Sequence, residues 1–354
     1  MRVFNFGKHI QVLCQRQWFE IALKKNRKRT EKIPPLTAEQ QAEIAKYWGR
    51  FPYSELIERE IRYLSHITGV FQPDYIPSSV FHHIILPMMN PPHYACTLCD
   101  KNYLDLYLRE VPTPFCVVRN IDRKFYDHEF RLISSAEAID AIRQVPRIVI
   151  KPTDNTHSGI GVQLLDTASA DLKAIFSEYQ SDFVFQVPLK QNAFMARLNE
   201  SSVNCFRVST CFVGEKPQVM SAFVKVGAAG EFADNSGKTR RFIGVNGNRF
   251  QAFAINSTNR RFAVLPNGFD FRGMEIPFMD AVYETARNAH AHLPKCKMVF
   301  WDIMVNEDDQ PVIVEANLKY PLAGIPQWAT CRSFFGDCAA EILEYVGAEL
   351  KAQK

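Results

Sequence analysis

Apolar and polar positions divide the chain into a helical first part and a β-rich remainder. Before about residue 70 the apolar spacing is helical. Ile10, Val12, Leu13, Trp18, Phe19 and Leu23 punctuate a first helix expected over about 8–28. Pro34-Pro35 breaks the chain, and Thr37-Ala-Glu-Gln40 then supplies a capping box for a second helix. Leu56, Ile57, Ile61 and Leu64 predict a third over about 54–67. The Pro- and His-containing stretch 71–99 reads as irregular or only briefly helical. From Pro114 onward short β-rich runs take over, at 114–118, 147–151, 162–165, 182–187, 203–213, 218–226, 297–305 and 311–316. Helices are expected between them at about 101–109, 135–143, 169–177 and 277–293, and a last one at about 337–349. Ser134-Ser-Ala-Glu137 is a second capping box. Strands mixed with helices, several joined as hairpins, indicate an α+β or mixed α/β architecture.

Length and composition narrow this further. At 354 residues the chain is long enough for two or three domains. Its 47% apolar and 23% charged residues exclude a collagen-like, coiled-coil or largely disordered chain. The longest stretch without Asp, Glu, Lys or Arg, from Tyr75 to Cys99, contains four prolines and three histidines and does not suit a membrane helix. The N-terminus lacks the pattern of a signal peptide, and nine scattered cysteines read as reduced, buried thiols of a cytosolic protein. The net charge of +4 is uneven: residues 1–32 carry nine Lys or Arg against Glu20 and Glu31, which leaves the rest slightly acidic. Such a segment can meet anionic lipid, nucleic acid or an acidic partner, or can be the solvated face of a first helix. The aromatic residues show no pattern suited to base stacking, so no nucleic-acid partner is expected. The lone Cys96-x-x-Cys99 and the pair His82-His83 read as packing residues, Trp301 as core, and His157 as a loop histidine.

The most informative segment is Met298 to Asn317, two apolar β-runs around the polar turn Asn306–Gln310. Side chains alternate faces along a strand, so Phe300, Asp302 and Met304 share one face, and Ile313, Glu315 and Asn317 share a face of the partner run. A hairpin centred between Asp308 and Asp309 makes Asp302 and Glu315 cross-strand neighbours, with Cβ atoms about 4.5–5.5 Å apart. Two facing carboxylates inside apolar strands repel and lose solvation. Either one takes up a proton or a cation sits between them. Magnesium fits, because it takes oxygen ligands from one or two carboxylates together with substrate phosphates. Asn317 can add a third oxygen.

Groups that could meet phosphates lie upstream. Lys151 ends the run Arg147–Lys151 and leads into a loop with Ser158, Gly159 and Gly161, whose backbone N–H groups could approach phosphate oxygens. The loop is neither a Walker A sequence nor a dinucleotide fingerprint. Arg207 and Lys225 fall on adjacent runs joined by Gly214–Pro217, opposite or within one residue of each other, and two neighbouring cations need a counter-ion. Extension of either into solvent explains them equally well.

Together Lys101 in Asp100-Lys-Asn-Tyr, Lys151 before the Ser-Gly-x-Gly loop, and Asp302 with Glu315-Ala-Asn317 after twelve intervening residues resemble an ATP-grasp enzyme over about residues 95–330. The order and spacing are similar to those of carboxylate–amine ligases such as D-alanine–D-alanine ligase. Leu98–Asn102, Ser202–Arg207 and Phe223–Gly227 followed by Asp234-Asn235 resemble the sugar-transfer-associated branch, often encoded with surface-polysaccharide genes. The resemblance implies an ATP-grasp fold, two α+β subdomains clasping ATP, with an N-terminal helical extension. Its implied divisions are a basic helical segment 1–75, the first part of the catalytic region 76–125, a lid subdomain 126–187 and a C-terminal subdomain 188–354. It further implies ATP and Mg2+ as cofactors. Lys101 and Lys151 would hold the α- and β-phosphates under the Ser158–Gly161 loop, and Gln186 and Leu189 would meet adenine. Asp302, Glu315 and Asn317 would bind the metal, while Arg207 and Lys225 would face the γ-phosphate or an acyl phosphate. Three departures stand out. Gln191, Asn192 and Ala193 occupy the place of the usual acidic ribose ligand, Lys225 replaces an expected arginine, and Ser236–Arg240 replaces a glycine-rich sequence. The expected activity is ligation of a small-molecule or glycan-precursor carboxylate to an amine in the cytoplasm, with peripheral contact to a membrane or glycan machinery through residues 8–32. The alternatives are a kinase acting on a hydroxyl and a non-catalytic nucleotide-binding partner.

Overall fold

A computed structural model describes residues 3–153, 160–228, 230, 240–319, 321 and 323–352, with side chains from Gln17 onward. Three helices open the chain: α1 (Val3–Thr30), α2 (Ala38–Trp48) and α3 (Ser54–Thr68). The Thr37 capping box forms at the start of α2, with Gln40 N donating to Thr37 Oγ1 at 3.2 Å and Thr37 N donating to Gln40 Oε1 at 3.0 Å. Phe19, Ala22, Asn26 and Thr30 line the buried side of α1, at the three- and four-residue spacing of one helix face. The stretch after Gly69 is indeed only briefly helical. Short helical segments cover Ser78–Met89, including one π-turn at Phe81–Ile85, and another covers Pro92–Leu98.

Two antiparallel sheets follow. The smaller contains β1 (Cys116–Ile121), β2 (Lys124–Asp127), β3 (Leu132–Ile133), β4 (Arg147–Pro152), β5 (Gln163–Asp166) and β6 (Phe183–Gln186), in the order β3-β2-β1-β6-β4-β5. The larger contains β7 (Cys205–Cys211), β8 (Gln218–Val226), β9 (Arg241–Asn246), β10 (Arg249–Ile255), β11 (Arg261–Phe262), β12 (Met298–Val305) and β13 (Pro311–Asn317), in the order β11-β10-β9-β8-β7-β12-β13. Strands β2, β3, β9, β10 and β11 lie where the sequence pattern announced none. The β9–β10 hairpin turns at Gly247-Asn248, with Gly247 at φ +60°, so an Asn-Gly-Asn turn signal went unread. The helix expected over 101–109 shrinks to a 3₁₀ turn at Lys101–Tyr103 and one turn at Leu104–Tyr107.

Strand alternation fixes what each sheet face does. On the smaller sheet Val118, Ile148, Ile150, Phe183 and Phe185 pack in one core with the helix residues Ala138, Ile142 and Leu172. Arg119 and Lys151 both pair with Val184, so these three form one row on the opposite face. On the larger sheet Phe206, Val208, Val224, Ile243, Trp301 and Ile303 share a core with the helix Met279–Ala291. Trp301 is fully buried there, as expected, and its Nε1 donates to Thr210 Oγ1 at 2.9 Å.

The other face of the larger sheet is divided along its length. Met220, Met298 and Phe300 belong to a core shared with α1, α2, α3 and the last helix, Ala339–Ala352. Phe300 stacks on Phe334 at 5.6 Å between centroids and meets Phe81 edge-on at 6.3 Å. Two residues on is Asp302, and two further is Met304, packed with Cys205, Val312 and Leu189. The N-terminal helices thus cover one end of the face that carries Asp302. Among the described residues no helix is long and apolar enough to cross a membrane.

If Phe300 joins the helices to the sheet in this way, Phe300→Ala should lower the free energy of unfolding in urea by about 3–5 kcal/mol, the usual cost of truncating a buried aromatic. A loss below about 1 kcal/mol would contradict the packing.

Candidate functional site

The hairpin β12–β13 brings Asp302 opposite Glu315, the pairing expected of a hairpin centred between Asp308 and Asp309. The route to that pairing differs from the expected one. Beside the turn Val305 pairs with Pro311 and Ile303 with Ile313, one residue out of the expected register. A bulge between Ile303 and Asp302, with Val314 as its extra residue, restores the register before Glu315 is reached. Asn306 Oδ1 fixes the turn by accepting from Asp308 N at 3.1 Å and Gln310 N at 2.8 Å.

Facing carboxylates need compensation, and the chain supplies its own. Arg207 lies directly across from Asp302 on β7 and grips it bidentately, Nε to Oδ1 at 2.5 Å and Nη2 to Oδ2 at 3.0 Å. Lys225 Nζ reaches Oδ2 at 2.9 Å. Burial works to raise the Asp302 pKa, but the two cations outweigh it and hold the carboxyl well below the usual range. Glu315, a quarter exposed, pairs instead with Lys101, Nζ to Oε1 at 2.7 Å. The inference that only protonation or an intervening ion makes the pair tolerable is therefore corrected: separate side-chain cations serve each acid. Arg207 and Lys225 are also two residues out of register, Lys225 opposite Cys205 and Arg207 opposite Phe223. They share a face diagonally, and the counter-ion they need is Asp302.

Lys101 and Lys151 approach from the other sheet. Lys151, on β4, is 8% exposed, and burial, followed by the charge of Lys101, pushes its pKa down to about 8, with Glu315 pulling the other way. Lys101 sits on its 3₁₀ turn, capped by Asp100, whose Oδ1 accepts from Asn102 N at 2.9 Å. Its own N–H donates to Thr153 O at 3.3 Å, just beyond β4. Four cationic side chains and two carboxylates thus gather where the sheets meet, an excess of two positive charges. Such a cluster attracts a polyanion.

The donor set also fits a hard cation. Asp302 and Glu315 offer carboxylate oxygens, and Asn317 Nδ2 donates to Phe300 O at 3.2 Å, which leaves its amide oxygen as the end able to coordinate. No group of three or more His, Cys, Asp or Glu side chains gathers among the described residues. Magnesium held here would draw its remaining ligands from phosphates or water.

Gln186, at the end of β6, is buried and pairs with both Cys116 and Val149. Leu189 packs beside Met304 and Cys205. The residues standing in place of an acidic ribose ligand have structural work. Gln191 Nε2 donates to the carbonyls of Asn199 and Ser202, at 2.9 and 2.8 Å. Asn192 caps the next helical turn, accepting from Met195 N at 2.9 Å, and its Nδ2 donates to Asp309 at 2.7 Å. Gly161 takes φ +75° and packs so closely on Pro152 that a Cβ would come within 2.8 Å of it. Ser158, Gly159, His157, Asp234, Asn235 and Ser236–Thr239 lie outside the described residues. Burial lowers the His82 pKa to about 4, and the His83 ring lies tilted against Trp18 with centroids 3.5 Å apart, in keeping with packing roles. The expectation of buried cysteines fails at Cys96, which is exposed, and is only half met at Cys99 and Cys331.

Sequence reasoning missed Asp105 and Arg119, which pair beside Lys101. The signal was an arginine inside the apolar run Cys116-Val-Val-Arg-Asn-Ile.

A family model described as sugar-transfer associated ATP-grasp matches residues 85–341. No curated protein sequence matches the chain. Among solved structures the chain is similar to D-cycloserine synthetase DcsG, with 16% identity over 75% of this chain and 73% of that one and a TM-score of 0.43. It is similar also to D-alanine–D-alanine ligase from Bacillus anthracis, at 14% identity over 72% and 69% and a TM-score of 0.40. The ATP-grasp ligase PsnB complexed with minimal precursor, Mg and ADP is 14% identical over 73% of this chain and 62% of its own, with a TM-score of 0.42.

The depressed Lys151 pKa has a stability consequence. Between about pH 8 and the ordinary lysine value of 10.5 the unfolded chain holds a proton that the folded chain has released, so stability rises with pH through that window. In urea unfolding, wild type should gain on Lys151→Met as pH climbs from 8 toward 10.5. Parallel curves for the two proteins would contradict the lowered Lys151 pKa.

Proposed function

The chain belongs to the sugar-transfer associated ATP-grasp family and has the ATP-grasp fold, and on that premise we propose that it is an ATP- and magnesium-dependent carboxylate–amine ligase. The observation that supports this reading most is the cluster of Lys101, Lys151, Arg207 and Lys225 around Asp302 and Glu315. It combines an excess of positive charge, suited to a polyphosphate, with oxygen donors suited to the ion that accompanies one.

In the proposed reaction a substrate carboxylate oxygen attacks the γ-phosphorus of ATP, and the bond to the bridging oxygen breaks to release ADP. The resulting acyl phosphate is attacked at its carbonyl carbon by an amine, which loses a proton as inorganic phosphate departs and an amide remains. Lys101 and Lys151 would hold the α- and β-phosphates, with the Ser158–Gly161 loop over them, and Gln186 and the Leu189 backbone would meet adenine. Arg207 and Lys225 would face the transferring phosphoryl group and the acyl phosphate, where fixed cations favour the developing charge. Asp302, Glu315 and Asn317 would hold magnesium, whose contribution when bound is to neutralise phosphate charge. In this reading the ligand redistributes existing partners: the carboxylates pass to the ion, and the cations they had held pass to phosphate oxygens. Positioning then does most of the catalytic work.

The family description and the resemblance favour a carboxylate of sugar-acid or amino-acid type, joined to an amine in the making of a surface glycan. The basic α1 would bring the enzyme to the inner membrane face or to glycan machinery.

Phosphate release with panels of sugar acids, amino acids and amines tests the reading. A ligase should release phosphate only when a carboxylate and an amine are both present, with the amide found by product mass. Glu315→Gln and Lys151→Ala should each lower turnover at least about 100-fold, the scale expected for loss of a group that stabilises transition-state charge. Phosphate retained on a hydroxyl product would show a kinase instead, and wild-type turnover in both variants would remove these residues from the site.

A further inference from the structure

Arg119 is the least exposed charged side chain among the described residues of the smaller sheet. It lies on β1 in the row Arg119–Val184–Lys151, on the face turned away from that sheet's helices, and is only 1% exposed. Its guanidinium binds Asp105 bidentately, Nη1 to Oδ1 at 3.0 Å and Nη2 to Oδ2 at 2.5 Å. Nη1 also donates to the carbonyl of Asn102 at 2.5 Å. The guanidinium lies 4.2 Å from the centre of the Phe130 ring, which stacks on Tyr103. Asn102 is fully buried, and its Nδ2 donates to Asn120 O at 3.3 Å and to Thr153 Oγ1 at 3.0 Å.

These contacts all converge on residues 102–105, the turn that carries Lys101. The polar side of the segment is bonded to the smaller sheet. Its apolar side, Leu104 and Leu108, is buried in the core of the larger sheet. The segment therefore spans both sheets, and Lys101 stands between Lys151 of one and Glu315 of the other. Arg119 Nε and the Oδ1 atoms of Asn102 and Asn120 are buried without hydrogen-bond partners among the described residues. A fully buried arginine, paired with an aspartate that is only partly buried and with orphaned polar atoms around it, is a poor way to gain stability, since apolar residues of similar volume often do as well or better. Such a group is better explained by the geometry it enforces.

We infer that Asp105, Arg119 and Asn102 form a bracket between the two sheets that positions the Lys101 ammonium for the nucleotide phosphates. Asp105 and Arg119 are positioning residues that act through Lys101. Both terminal nitrogens of Arg119 are already committed, to Asp105 and to the Asn102 carbonyl. The inference rests on the proposed role of Lys101 as a phosphate ligand.

A double-mutant cycle on the full chain separates the two claims, read as the dissociation constant of Mg·ADP by calorimetry. Lys101→Met should weaken binding at least about tenfold. Asp105→Asn should weaken it about tenfold in the wild-type background but less than about twofold when Lys101 is already methionine, because side chains that act through one another are strongly non-additive. Equal factors in both backgrounds, or no loss with Asp105→Asn alone, would overturn the bracket while leaving Lys101 as a ligand. No loss with Lys101→Met would overturn the phosphate role of Lys101, and the bracket's purpose with it. If Asp105→Asn loses its cooperative unfolding transition, Asp105→Glu keeps the charge, displaces the turn, and should show the same coupling.

Discussion

A carboxylate buried in the middle of a β-sheet governs this molecule. Asp302 has apolar neighbours before and after it on its own strand, and burial alone would drive it to take up a proton. It stays ionised because β7 and β8 each send a cation to it. That requirement constrains the order of strands, the face on which Arg207 and Lys225 stand, and the diagonal offset between them. Glu315 is held by a cation from outside the sheet, Lys101, which ties the hairpin to the chain segment that spans both sheets. The charges of the site are thus part of what joins the two halves of the fold.

The N-terminal helices matter to the same face. Met298 and Phe300 are covered by them, Asp302 lies immediately beyond, and Met304 closes the other end in a small apolar cluster with Leu189. The period of two along one strand therefore yields, in sequence, a docking surface for helices, a charged position and an apolar wall. A helical extension in this place bounds the site on one side. It is integral to the core beneath the larger sheet.

Much of this was legible in the sequence, and the failures are physical. The Asp302–Glu315 pairing followed from a hairpin centred between Asp308 and Asp309, but it held because two departures cancelled: the turn is one residue tighter than expected, and the Val314 bulge makes up the difference. Compensation was incomplete for Arg207 and Lys225: a bulge at Ser209/Thr210 moves them one residue closer to pairing and still leaves them two out of register. The capping boxes at Thr37 and Ser134 were read correctly because their bonds are local. Strands β9 and β10 went unrecognised because β10 alternates irregularly, so the hairpin turn was the better signal. The repulsion argument erred because a sequence does not show which distant cations will reach an acid. Arg119 was visible as a charge inside an apolar run, but its partner Asp105 lies across a different element.

Diffraction from crystals soaked with Mn2+ and a non-hydrolysable ATP analogue tests the central claim most directly, because the anomalous signal of manganese locates the ion without reference to the protein's own side chains. The account predicts an ion ligated by oxygens of Asp302 and Glu315 and by phosphate, with Lys101 turned from Glu315 to the nucleotide. Nucleotide bound at the sheet junction with the ion elsewhere, or with Asp302 still closed on Arg207 and Lys225, would contradict it.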